Sequence, residues 1–386
     1  MLIGAGGTAL TSLGFAPRRS FASALPMDPT LLNLVDASRA IQLRILSPVE
    51  LTEACLRRIA RLDTQLNSFI TITAERALSD ARRAQDELAK GRVRGPLHGI
   101  PIALEDNVDT AGVRLQNAGA VLLGKLNLHG LASGTRSSIG GYGAVRNPWD
   151  SDSASGTSDG SATAVAASLC FGSLGTDTGG SLRAASCGVV GLKPTFPTVG
   201  RQSVGPVSSS LRQVGPLCRT VEDTAVLFGE MTEHPIATVY RRHQAPWLAQ
   251  HLTVGVVRNL PAICYGAMQS EVEAIFEKAV ETLRPLVAEV RDIELAYSTL
   301  GSVIDAAPEP DLFSQVDVVI LPVAGSCTFN WGPRPAMSIP CGFSKSRVPV
   351  GMLMGAQTLR EPELFSLAQA YEQNTQWHGA RPPLMT

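Results

Sequence analysis

One glycine-rich run constrains this chain more than any other segment. Residues 175–183 read Gly-Thr-Asp-Thr-Gly-Gly-Ser-Leu-Arg, with two glycines immediately before Ser181. Because glycine has no Cβ, the backbone can bend there so that consecutive N–H groups converge on one small volume. A hydroxyl at the end of such a bend lies beside donors that can hold the negative oxygen of an attacked carbonyl. The run therefore predicts a nucleophile loop, whereas a bare Gly-Gly-Ser is more often an ordinary turn.

Composition narrows the class of protein and its partners. The chain has 386 residues, of which 44% are hydrophobic and 17% charged, so it can bury a large core. Its formal net charge is −1, and no basic stretch interleaves with aromatic residues, so nothing favours nucleic acid as a partner. The seven cysteines are scattered and the six histidines lack metal spacing, which predicts neither a disulfide framework nor a metal site. No apolar run approaches the ~20 residues that span a bilayer.

The first 27 residues are predicted to form a tail outside the folded domain. They contain a short apolar run, then Arg18-Arg19, then Ala22-Ser23-Ala24, which resembles a signal-peptidase site. In export signals the basic residues precede the apolar run, and here they follow it. Two interpretations stay open: an unprocessed tail of a cytoplasmic protein, or a degenerate signal for export.

From Asp28 onward, helix and strand patterns alternate. A capping box from Ser47 to Glu50 predicts one helix start, and Thr73 and Gly91 mark the start and end of a second helix. Apolar runs predict strands at 98–107, 120–123 and 316–322, and helices at 161–170 and 271–283. This alternation indicates an α/β layered fold with a buried sheet. Without an internal repeat or linker, residues 28–386 are predicted to form a single domain.

The motif around Ser181 extends well beyond the loop. It continues into a run that ends Gly-Leu-Lys-Pro-Thr195, and further landmarks are Asn147-Pro-Trp-Asp150, Val214-Gly-Pro-Leu217 and Pro335-Ala-Met-Ser-Ile-Pro-Cys-Gly-Phe343. With these motifs the chain resembles the amidase signature family of serine hydrolases over about residues 28–384. The resemblance implies a large central mixed β-sheet covered by helices on both faces. It also implies hydrolysis of carbon–nitrogen bonds through a serine acyl-enzyme, with no metal or organic cofactor.

The resemblance also assigns roles to individual residues. Family members use a Ser–cis-Ser–Lys triad, in which a neutral lysine takes a proton from a serine and that serine takes one from the nucleophile. The nucleophile falls on Ser181, the bridging serine on Thr157 and the lysine on Glu105. The other candidates are the backbone N–H groups of Thr178, Gly179 and Gly180 for the oxyanion hole, and Asp177, Arg183 and Ser158 for shaping the loop.

Two of the three triad positions depart from the family pattern. Thr157 keeps a hydroxyl that can relay a proton. Glu105 has a shorter side chain than lysine and reverses the local charge, and a misplacement of ~1 Å can cost about a hundredfold in rate. Lys125 is a weaker candidate for replacing the lost base, because relatives also carry a lysine there. The substitutions therefore predict impaired activity.

The chain also lacks segments that the family has. A strand and a helix are missing between Arg114 and Leu115, and the stretches at 307–311 and 327–331 look shortened. Gly156-Thr-Ser-Asp-Gly160 formally matches a nucleophile elbow, but residues 149–155 are not expected to form the buried strand that an elbow needs. The predicted substrate is a small-molecule amide or ester, and the oligomeric state is left open. The alternatives are a catalytically silent homologue and an A-type subunit of an amidotransferase.

Overall fold

The computed structural model describes the chain in segments. The described residues are 26–108, 114–128, 142–154, 159–177, 187–196, 198–199, 213–232, 246–260, 269–294, 312–323 and 333–385. Their strands, β1 to β13 in chain order, are Phe69–Ile72, Pro101–Glu105, Val121–Leu126, Arg146–Asn147, Asp150–Ala154, Gly172–Asp177, Val190–Lys193, Gln213–Cys218, Thr253–Val257, Glu289–Ile293, Val318–Val323, Ala336–Phe343 and Pro349–Ala356. Their helices, α1 to α9, are Leu34–Gln42, Pro48–Leu66, Ala74–Ala89, Arg114–Asn117, Asp159–Ala166, Val221–Met231, Gln269–Leu283, Leu312–Gln315 and Glu361–Gln373.

Eleven of these strands form one mixed sheet. Its order is β1-β3-β2-β6-β8-β7-β12-β13-β11-β9-β10. The β3–β2–β6 and β11–β9–β10 neighbours are parallel, and the other pairs are antiparallel. Every residue of β2, β6, β7, β8 and β13 is buried, so both faces of the sheet are covered. The predicted α/β class with a large mixed sheet is confirmed.

The start of α2 follows directly from its sequence. The Ser47 hydroxyl accepts a hydrogen bond from the Glu50 N–H at 3.0 Å, and the Glu50 carboxylate accepts from the Ser47 N–H at 2.9 Å. Pro48 occupies the first helical position, where its missing N–H costs nothing. The capping box is therefore confirmed.

Three local predictions differ from the structure. Thr73 is the N-cap residue of α3, but its hydroxyl donates to the Leu122 carbonyl at 3.2 Å and makes no cap bond. The helix predicted over 161–170 ends at Ala166, because the chain turns at Ser168, whose φ is +56°. Residues 150–154 do form a strand, although it pairs only with β4 in a separate two-stranded sheet. The elbow interpretation of Gly156–Gly160 therefore still lacks a strand of the main sheet.

The remaining predictions on chain organisation are less directly tested. The single-domain boundary at residue 28 stays a prediction, and residues 1–25 lie outside the described residues. Within the described part of the chain, no helix combines the length and the apolar character that crossing a bilayer requires.

Candidate functional site

The candidate site lies where two neighbouring strands end. Strands β2 and β6 are parallel, with Leu104 in register with Leu174. Because the carboxyl ends of parallel strands meet at one edge of a sheet, Glu105 at the end of β2 and Asp177 at the end of β6 lie together there. Both are buried, with exposed fractions of 0% and 1%. The sheet thus brings two predicted site residues to a common edge.

The Glu105 carboxylate is held by a single residue of the neighbouring strand. Its Oε2 accepts a hydrogen bond from the Thr176 N–H at 2.8 Å, and its Oε1 accepts from the Thr176 hydroxyl at 2.8 Å. Both oxygens are thereby used as acceptors, as an ionised carboxylate requires. Glu105 therefore ties β2 to β6 at the point where the chain enters the segment that carries Ser181.

A third side chain continues this hydrogen-bond chain. The Asn107 Nδ2 donates to the Thr176 hydroxyl oxygen at 3.0 Å, from the turn that follows β2. Thr176 is fully buried, so its hydroxyl makes its bonds away from water. We call the connected set Glu105–Thr176–Asn107 the strand-end relay.

Helix α5 begins close to the same edge. The Gly160 N–H donates to the Asn127 carbonyl at 3.1 Å, and the Asn127 N–H donates to the Ser68 carbonyl at 2.8 Å. A Cβ at position 160 would lie 2.7 Å from both the Asn127 nitrogen and the Ser68 oxygen, so only glycine fits there. This close approach fixes the chain two residues after Ser158.

Two further contacts hold the segments that flank the Ser181 loop. The Trp149 Nε1 donates to the Cys187 carbonyl at 2.8 Å, which anchors the chain after the loop to the β4–β5 turn. On the other side, Asp177 is in register with Gln213 of β8. Gln213 in turn accepts from the buried Lys193 ammonium at 3.4 Å, and that ammonium also donates to the Arg334 carbonyl.

Lys125 does not take the position of the absent lysine in the sheet. It is in register with Leu104, one residue before Glu105, so its side chain leaves the sheet on the other face. Its Nζ donates to the Val108 carbonyl. Replacement of the lost base by Lys125 therefore receives no support from the register.

The structure describes only part of the predicted site. Of the predicted residues, Glu105 and Asp177 are described, and their proposed roles stay predictions. Thr157, Ser158, Thr178, Gly179, Gly180, Ser181 and Arg183 lie outside the described residues. The sequence reasoning missed Thr176 and Asn107, although both belong to quoted motifs, because their link to Glu105 depends on the pairing of β2 with β6.

Comparisons with known proteins point to one family. The model of the family described as Amidase matches residues 50–115 and 113–304. The A-type subunit of the glutamyl-tRNA(Gln) amidotransferase of Thermosynechococcus vestitus is 31% identical over 469 residues, covering 88% of this chain and 97% of that protein. The peptide amidase of Stenotrophomonas maltophilia is 27% identical, with a TM-score of 0.78 over 91% of this chain and 98% of that one. A bacterial aryl acylamidase of the amidase signature family shares the fold, with a TM-score of 0.75 at 17% identity over 90% of this chain and 98% of that one.

These matches also confirm that the chain is shortened. The alignment with the T. vestitus protein spans 469 residues, more than the 386 of this chain, so the relative carries segments that have no counterpart here. The family-model match breaks at 113–115, where the sequence predicts a missing strand and helix. Because the family model matches more than half of the chain, this protein belongs to the amidase family.

Proposed function

We propose that this protein is an amidase that hydrolyses the carbon–nitrogen bond of small-molecule amides through Ser181. In the first step the Ser181 Oγ attacks the amide carbonyl carbon, and its proton passes to the departing nitrogen through the Thr157 hydroxyl. Water then attacks the acyl-enzyme, releasing the acid and restoring the serine. The backbone N–H groups of residues 178–180 are proposed to stabilise the oxyanion in both steps.

The meeting of the β2 and β6 ends carries this proposal. Ser181 follows Asp177 by four residues, and four extended residues span at most roughly 14 Å. Thr157 precedes α5 by two residues, which limits its distance from the helix start to roughly 7 Å. The chain therefore restricts both hydroxyls to the neighbourhood of the described edge, where Glu105 lies.

The occupied Glu105 carboxylate supports slow turnover. A general base must reach the proton that it removes, and here both oxygens already accept hydrogen bonds from Thr176. Accepting another proton requires weakening one of these bonds. We therefore propose that Glu105 serves poorly as the base and that amide hydrolysis is slow compared with a family member that has lysine there.

Covalent labelling tests the nucleophile. The purified protein is incubated with a fluorophosphonate probe and with aryl amides, next to the Ser181→Ala and Glu105→Lys variants. We expect slow labelling and slow amide hydrolysis by the parent, and neither by Ser181→Ala. The exposed Ser346→Ala variant is the matched control and should label like the parent. Equal labelling of Ser181→Ala and the parent rejects Ser181 as nucleophile.

Glu105→Lys separates a slow enzyme from a silent homologue. The change restores the family base but removes the acceptor of a buried N–H, so its melting temperature is measured alongside activity. A parent without turnover and a folded Glu105→Lys variant with turnover identify the chain as a silent homologue. Faster turnover by the variant than by an active parent supports the slow-enzyme proposal.

The curated relatives favour a second candidate function. The T. vestitus protein and the one from Gloeothece citriformis, which is 30% identical, are both A-type components of glutamyl-tRNA(Gln) amidotransferases. A component of this kind would release ammonia only together with its partner chains. Amide hydrolysis by the isolated chain argues for the amidase, whereas ammonia release that depends on the other amidotransferase chains argues for the second candidate.

A further inference from the structure

The carboxamide of Asn107 presents an acceptor that no group in the described part of the structure uses. Its Oδ1 is buried and has no hydrogen-bond partner, although its Nδ2 is bound to Thr176. Buried polar side-chain atoms are generally hydrogen-bonded, so an acceptor of this kind calls for an explanation. It lies at the strand edge where the chain enters the Ser181 segment.

The direction of the strand-end relay fixes which atom of the carboxamide is presented. An ionised carboxylate only accepts, so the Thr176 hydroxyl gives its one proton to Glu105. The hydroxyl oxygen can then only accept from Asn107, which must turn Nδ2 toward it. Oδ1 consequently points away from Thr176. The choice of an acid at position 105 thus determines that Asn107 presents an acceptor.

We propose that Asn107 Oδ1 accepts a hydrogen bond from the substrate's amide N–H and selects amides over esters, with Glu105 and Thr176 as positioning residues. This inference deepens the proposed function and rests on it. An ester has no N–H at the equivalent atom, so binding it leaves the buried Oδ1 without a partner. A site built to pair a substrate N–H rejects the analogue that lacks it.

The isosteric Glu105→Gln change reverses the relay without altering its shape. The carbonyl oxygen of the new side chain would accept from the Thr176 N–H, and its NH₂ would donate to the Thr176 hydroxyl oxygen. The hydroxyl proton would then go to Asn107, whose carboxamide must rotate to offer Oδ1 to Thr176. Asn107 would then present Nδ2, a donor, so its preference would change from amide to ester.

Binding to the Ser181→Ala protein tests this selection without requiring turnover. The dissociation constants of phenylacetamide and methyl phenylacetate are measured by calorimetry, because the two ligands share one acyl group. We expect the amide to bind about ten- to a hundredfold more tightly. Equal binding of the two ligands, or no binding of the amide up to its solubility limit, overturns the inference.

Three variants in the Ser181→Ala background complete the test. Glu105→Gln should lower the amide-to-ester affinity ratio by about tenfold or more, and Asn107→Leu should bring the ratio close to one. Asn374→Ala, which removes an exposed carboxamide that donates to the Ala370 carbonyl, is the control and should leave the ratio unchanged. An unchanged ratio in folded Glu105→Gln refutes the relay. Covalent labelling reports on Ser181 separately, so failure of the nucleophile proposal is distinguishable from failure of this one.

Discussion

Two regions of the molecule bury carboxylates, and they treat them differently. At the β2–β6 edge, Glu105 has hydrogen bonds on both oxygens, and both come from Thr176. At the start of α6, Asp223 uses Oδ1 to accept from the Val35 N–H at 3.0 Å, while its Oδ2 is buried without a partner. Glu372 accepts from the Val221 N–H at 3.0 Å in the same region. We call this second region, Asp223 and Glu372 with the helix ends they contact, the helix-end cluster.

Burial dominates the electrostatics of the helix-end cluster. It raises the pKa of Asp223 to about 6, against the opposing effect of Arg219. Burial likewise raises the pKa of Glu372 to about 8, and the neighbouring acids Asp223 and Glu222 raise it further. Each carboxylate accepts a hydrogen bond at the N-terminus of another helix, so both have a structural role in joining α1, α6 and α9.

A strongly shifted pKa therefore does not by itself locate the functional site of this protein. Perturbed acids are often found in active sites, but structural networks shift pKa values as well. Here the shifted acids hold helix ends together, whereas the strand-end relay adjoins the nucleophile segment. The position relative to the sheet edge is the more informative criterion.

Gly160→Ala should disturb the site region more than any other change considered. The new Cβ would lie within 2.7 Å of backbone atoms of Asn127 and Ser68, which cannot move without distorting the sheet. We expect a loss of about 3 kcal/mol in the free energy of unfolding, together with loss of Ser181 labelling. Chemical denaturation measures the first effect and the fluorophosphonate probe the second.

Gly379→Ala is the matched control for this change. No atom lies within 4 Å of a Cβ at position 379, so its stability should match that of the parent. If Gly160→Ala were as stable as Gly379→Ala, the tight attachment of α5 to the β3 end would be wrong. The site region would then be no more rigid than an exposed turn.

Thr176→Val tests the strand-end relay with an almost isosteric change. It removes a donor from Glu105 and an acceptor from Asn107, and both partners then lack a hydrogen bond at a buried position. We expect a loss of about 2 kcal/mol in the free energy of unfolding. Urea denaturation of the parent and the variant measures this loss.

Thr224→Val provides the corresponding change in the helix-end cluster. Thr224 is equally buried, and its hydroxyl donates to the Thr220 carbonyl at 2.8 Å, but that carbonyl also accepts from the Thr224 N–H. Because the carbonyl keeps a partner, the expected loss is below about 1 kcal/mol. Equal losses for the two variants would remove the distinction between a relay and an ordinary buried threonine.

The sequence predicted much of the fold because the relevant signals are local. The Ser47–Glu50 capping box and the apolar runs before Glu105 and after Val316 depend on neighbouring residues, so they can be recognised without the fold. The relay depends on the pairing of β6, which begins at Gly172, with β2, which ends at Glu105, far apart along the chain. That pairing is determined by the whole sheet, which explains why Thr176 and Asn107 were missed.

The weakest effect that we expect concerns the pH dependence of the helix-end cluster. The pKa of Glu372 is about 8 in the folded protein and 4.5 for the ordinary group, so the folded state retains a proton that the unfolded chain releases. This contribution to stability is fully present below pH 4.5 and is lost as the pH rises through 8. Glu372→Gln keeps the acceptor for Val221 and cannot ionise. We therefore expect the variant to match the parent near pH 4.5 and to exceed it by about 1 kcal/mol at about pH 9, since partial exposure screens the charge.

Urea denaturation across this pH range measures the difference between the two proteins, so titration of all other groups cancels. The matched change at the strand-end relay is Glu105→Gln, whose carboxylate is bonded on both oxygens. Because the carboxamide replaces an acceptor with a donor toward Thr176, this variant should lose stability at about pH 9, where Glu372→Gln gains it. A gain in both variants at this pH would mean that both carboxylates are buried at a cost, and the contrast between the two regions would fail. A loss in both would instead show that Glu372 depends on its charge to hold α6.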